Sequence, residues 1–95
     1  MILVRDIIWM DAVVEKMAWK HQVLTREVEE ILEGNSRVFK KETGRVEGEH
    51  LYNALGRTEE GRRLSVFFIL KRNRKALVIT ARDMTERERK RYEKK

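Results

Sequence analysis

At 95 residues the chain has room for one domain, residues 1–95, with a single small core. It contains no cysteine, which excludes disulfide frameworks and thiolate zinc sites, and its longest apolar run, Val66 to Leu70, is far too short to cross a bilayer. The net charge of +6 is uneven: residues 71–95 hold 11 Lys/Arg against 4 Asp/Glu, while residues 1–70 hold 11 against 12.

In chain order the pattern gives helices first and a sheet afterwards. The N-terminus MILVRDIIWMD lacks a basic region followed by an apolar signal core, so a soluble, cytoplasmic protein with no membrane partner is expected. RDIIW reads as a short opening strand. Met10, Val13, Val14, Met17 and His21 then recur at helical spacing, the apolar stripe of a first helix. Thr25 is placed to cap a second helix, REVEEILEG, with Val28, Ile31 and Leu32 as its stripe and Gly34 as its terminator.

From Ser36 the period changes to that of strands. SRVFKKE, EHLYNALG, RLSVFFIL and ALVITA are strand-like runs, and TEEG and KRNRK read as turns between the last three. Connections this short do not hold crossover helices, so the later strands should form an antiparallel meander. The unbroken apolar stretch Val66–Leu70 predicts a strand that is central or covered on both faces. Thr85 followed by Glu88 is a capping box, and it opens a last helix through ERERKRYEKK to the chain end. The expected class is α+β: a short N-terminal strand, two helices, an antiparallel β-meander and a C-terminal helix.

The basic C-terminal pole fits a polyanion, because each Lys or Arg that neutralises a phosphate releases condensed counterions. A merely solvated terminal helix has the same composition, so charge alone does not choose between them.

The motifs carry more. Trp9 is followed by KHQV, with Lys20, His21 and Val23, and by Glu27. GRTEEGRRLSVFF presents Gly56, Thr58, Gly61, Arg62, Leu64 and Val66, and ITARDMTERERKRY presents Ala81, Arg82, Thr85, Glu88 and Tyr92. In order and spacing this set resembles the BrnT family, ribonuclease toxins of bacterial and archaeal type II toxin-antitoxin modules. The resemblance implies a RelE-like fold, RNA as target with inhibition of translation, and a cognate antitoxin encoded by an adjacent gene. The chain departs from the family pattern at Met10, Val13 and Met17 in the first helix and at Leu51 and Leu77 in strands, where polar or basic side chains are usual.

Metal-free RNA cleavage needs a base for the 2′-OH, a cation for the developing phosphorane charge and an acid for the departing 5′-oxygen. His21 is the titratable candidate, since imidazole changes charge near neutral pH; its other reading is a core residue closing the Met10–Met17 stripe. Lys20 and Arg82 are candidates to hold phosphate, and Glu27, Glu88 and Tyr92 to orient those groups or move protons. Arg62, Arg89, Lys90 and Arg91 complete the expected RNA surface. With two His at no paired spacing, and Glu27, Glu29, Glu30 and Glu33 reading as a solvated helix face, no metal and no cofactor is assigned. Trp9 and Trp19 have the rings to stack on bases, but beside an apolar helix face they read as core. His50 has no assigned role. Two functional classes fit these residues: a metal-independent endoribonuclease toxin, or a catalytically degenerate module that keeps antitoxin or nucleic-acid binding.

Overall fold

The alternation that marks the later segments as strands becomes a four-stranded antiparallel meander. The computed structural model describes residues 4–42 and 49–94. Its elements are β1 (Asp6–Ile8), α1 (Asp11–His21), α2 (Thr25–Glu33), β2 (Arg37–Glu42), β3 (Leu51–Arg57), β4 (Arg63–Leu70), a 3-10 turn (Arg72–Arg74), β5 (Lys75–Asp83) and α3 (Glu86–Glu93). Strand order in the sheet is β1-β5-β4-β3-β2, so the apolar strand β4 is central, as its composition requires.

The sheet is mixed and not wholly antiparallel. β1 pairs in parallel with β5, Ile7 opposite Ala76, because the two helices between β1 and β2 carry the chain across the sheet and leave β1 beside the last strand. The C-terminal helix ends at Glu93, with Lys94 as its cap; Lys95 lies outside the described residues.

Period-two alternation sends one set of apolar side chains to the sheet face that α1 and α2 cover. Met17, Val23, Val28 and Ile31 pack on Ala54, Leu64, Val66, Phe68, Val78 and Ala81, all at 1% exposure or less. Phe68 is the largest side chain among them; its truncation to alanine would cost about 3–5 kcal/mol. α2 approaches β3 closely at Gly56, where an added Cβ would sit 2.9 Å from Ile31 Cγ2. In the β3–β4 turn Gly61 has φ +96, a conformation that favours glycine, and its N–H donates to the Thr58 carbonyl at 2.9 Å.

Two local expectations fail. Thr25 is the first residue of α2 and not its cap: the cap position is Leu24, and the Glu27 carboxylate turns back to accept its N–H at 3.0 Å. Trp19 is not core, being 72% exposed, whereas Trp9 does pack against the core. β4, central as expected, is covered unequally on its two faces: Phe67 and Ile69 are half-buried while Val66 and Phe68 are fully buried.

Candidate functional site

Arg82 and Asp83 are successive residues near the end of β5, so their side chains leave opposite faces of the sheet. Each anchors its own arginine–carboxylate cluster, and the sequence-predicted residues divide between the two.

On the helix-covered face the hub is Arg62, set just before β4 by the Thr58–Gly61 turn; Thr58 Oγ1 accepts the Arg62 N–H at 3.0 Å. Arg62 Nε and Nη2 grip Asp83 at 2.8 and 3.2 Å. Nη1 donates to the Gln22 carbonyl at 2.6 Å and to Glu27 at 3.2 Å, and Nη2 to the His21 carbonyl at 2.9 Å. These are carbonyls that the end of α1 leaves unpaired, where Gln22 turns into the left-handed region at φ 52. All five guanidinium donors therefore have protein acceptors. The hydrogen bond from Arg62 lowers the Asp83 carboxyl pKa against the opposing effect of burial, and the charges of Arg62 and His21 add to the lowering. The same bond from Arg62 to Asp83 raises the Arg62 pKa, with burial opposing and Glu27 assisting.

On the other face a buried polar chain runs through the sheet to Arg82. Asn53 Nδ2 donates to Ser65 Oγ at 2.8 Å and to the Val66 carbonyl at 3.2 Å, and Ser65 Oγ donates to Glu88 Oε2 at 3.0 Å. Asn53 and Ser65 are almost fully buried. Glu88 also accepts the Thr85 N–H at 2.9 Å while Thr85 Oγ1 accepts the Glu88 N–H, the expected capping box. Against Glu88, Arg82 places Nη1 at 2.7 Å and Nη2 at 3.1 Å. Burial alone would raise the Glu88 pKa; the bonds from Arg82, the Thr85 N–H and Ser65, with the Arg82 charge, outweigh it and lower the pKa.

Arg82 differs from Arg62 in having donors to spare. Its second Nη1 hydrogen goes to the Asp83 carbonyl at 3.2 Å, but Nε–H and the second Nη2–H meet no protein acceptor among the described residues. Those two hydrogens lie on one edge of the guanidinium, a planar fork of the kind that takes two oxygens of a phosphate. The side chain is 32% exposed, and its Cζ lies 5.3 Å from the centre of the Phe67 ring.

α3 is fixed over the same face at both ends. Thr85 caps its start, and Arg37 of β2 donates through Nη1 to the Arg91 and Tyr92 carbonyls at 2.9 and 3.3 Å and also to that of Lys94. Arg91 lies over the Phe39 ring at 3.6 Å. Of the expected RNA surface, Arg91 is thus part of the α3–β2 packing, Lys90 lies 3.8 Å from Glu86 with both side chains exposed, and Arg89 is exposed.

The structure brings together Glu27, Arg62, Asp83 and the ends of α1 and α2, with the His21 side chain close enough to act on Asp83. It separately brings together Arg82, Glu88, Ser65 and Asn53. It does not unite His21 and Glu27 with Arg82 and Glu88. Lys20 is exposed on the last turn of α1, and Tyr92 lines a shallow depression with Glu30, Gly34, Arg57 and Thr58. Sequence reasoning missed Asn53, Ser65 and Asp83. Asn53 and Ser65 carry a usable signal, being uncharged polar residues inside otherwise apolar strands. Among the described residues no three His, Asp or Glu side chains group as metal ligands, and no helix is long and apolar enough to cross a membrane. No protein-family model matches this chain, and no curated protein matches it.

Proposed function

We propose that this protein is a metal-independent endoribonuclease toxin of the BrnT kind, RelE-like in fold, that cleaves RNA in the cytoplasm, inhibits translation and is silenced by a cognate antitoxin encoded by an adjacent gene. The observation that carries the reading is Arg82: its end-on edge is held by Glu88 and its side-on edge is open, so a phosphodiester meets a pre-oriented cation. The order of short strand, two helices, meander and capped C-terminal helix agrees with what the motif resemblance implies. Charge on the phosphorane is the part of the reaction this arrangement serves best. Glu88, already accepting from three groups, acts by positioning Arg82.

A second reading, a degenerate module that binds RNA or antitoxin without cleaving, is favoured by one observation: His21, the expected base, sits with the cluster on the opposite face from Arg82. The deciding experiment incubates the purified protein with RNA in chelator. Fragments ending in 2′,3′-cyclic phosphate, lost in a folded Arg82→Ala variant, support the toxin reading. Intact RNA at micromolar protein, with binding retained, selects the module.

A further inference from the structure

Among the described residues, the sheet face that carries Arg82 is only partly covered. α3 crosses it near the Arg82 end, where Leu55, Asn53 and Ser65 are buried; it contacts β3, bonds Ser65 through Glu88 and is tied there by Arg37. Beyond α3 the same face continues through Phe67 and Ile69 of β4, with Leu51 and Leu77 as the cross-strand neighbours of Ile69. All four are half-buried, in contrast to the fully buried Val66 and Phe68 on the other face, and Ile79 at the adjoining bulge is 37% exposed. Basic groups flank this apolar strip along the strands. At one end are Arg82 and α3 with its exposed Arg89 and Lys90; at the other is the β4–β5 turn with exposed Arg72, Arg74 and Lys75.

We infer that the open part of this sheet face is a platform for single-stranded RNA, on which a base stacks against Phe67 while the adjoining phosphate takes the free Nε/Nη2 edge of Arg82. An apolar, aromatic strip between basic margins matches a chain whose bases are unpaired and whose backbone is anionic; a duplex hides its base faces and offers only backbone. Phe67 is the ring suited to this. Phe39 on the same face has Arg91 close over its ring at 3.6 Å, whereas Arg82 lies over the Phe67 ring at the longer distance of 5.3 Å from its centre. The inference rests on RNA being the polyanion of the preceding section but does not require that it be cut.

The test uses a 2′-O-methyl oligonucleotide, which blocks 2′-OH attack, as a single strand and as the annealed duplex, by fluorescence anisotropy. The single strand is expected to bind at least about tenfold tighter than the duplex, and Phe67→Leu, which keeps an apolar side chain, to weaken single-strand binding at least about fivefold with duplex binding unchanged. Amide shifts in the wild-type protein give a reading independent of any variant: the strand should perturb β4 and β5 around Phe67 and Arg82. Equal affinity for strand and duplex, an unaltered affinity in folded Phe67→Leu, or shifts confined to α3 would each overturn the platform. Cleavage of RNA by a protein that fails these tests leaves the ribonuclease reading standing; platform binding without cleavage removes the ribonuclease and keeps the platform.

Discussion

Arg62 Nε meets Asp83 Oδ1 at 2.8 Å, and the same guanidinium holds Glu27 and the last carbonyls of α1, so one side chain ties α1, α2 and the end of β5 together. Arg62→Met keeps much of the apolar stem and removes every donor. We expect a loss of about 2 kcal/mol in urea denaturation, most of it from the two carbonyls left without a partner and from Glu27, which keeps only the Leu24 N–H. Asp83 is 67% exposed and its share is small because water screens the pair. An unchanged urea midpoint would show that the staple adds nothing to stability.

Much of this fold is legible in the sequence, for physical reasons that also mark where reading fails. β4 is bounded at Arg63 and Leu70 by the alternation and turns around it, and α3 begins at its Thr85–Glu88 capping box, because both signals are local. The parallel pairing of β1 with β5 is not local; nothing in RDIIW names a partner almost seventy residues away. The candidate site shows the same division. Arg82 and Glu88 lie six residues apart across a strand end and a cap, and their pairing follows from that geometry. Whether His21 joins them depends on which face of the sheet α1 covers, and it covers the other one.

Glu88 gives a pH signature. Its folded pKa is lowered, so the stability it contributes is fully present above the unfolded value of about 4.3 and is lost as pH falls through the folded value. The melting-temperature gap between wild type and Glu88→Gln should therefore stay constant from pH 5 to 8 and narrow below about pH 4.3. A gap that narrows between pH 6 and 8 would contradict the assignment.

Gly56 is required by the close approach of α2 to β3. In Gly56→Ala the new Cβ would lie 2.9 and 3.0 Å from Ile31 Cγ2 and Cδ1 and 3.3 Å from Ser36 Cβ. A cost of about 1–3 kcal/mol is expected from overpacking. Ile31→Val removes one of the clashing carbons, so the double variant should lose less than the two single costs added together. Strict additivity in thermal or urea melts would place the strain elsewhere.

α3 has no fully buried side chain and is held largely by its ends. Thr85→Ala should cost about 1 kcal/mol through the lost cap, and Arg37→Met should release the three carbonyls at the other end. In Arg37→Met, amide hydrogen exchange should quicken in α3 while β3, β4 and β5 stay protected. Uniform acceleration across the sheet would mean that α3 is part of the global folding unit.

The division of the expected catalytic residues between two faces predicts unequal mutational costs. Arg82 stands on the open face with a free fork, so Arg82→Ala should lower the rate of RNA cleavage by about 100-fold or more, the scale at which removing one preorganised charge-stabilising donor acts. Arg82→Lys should recover little, because an ammonium keeps the charge and lacks the planar fork. His21 belongs with Asp83 and Arg62, so His21→Gln should leave the rate within about threefold and the pH–rate profile unchanged between pH 6 and 8. Single-turnover cleavage of one short RNA by the three folded variants makes the comparison. A loss of 100-fold or more in His21→Gln, within the general acid–base range, would restore the imidazole as the base and require the two faces to meet a single substrate around the end of β5.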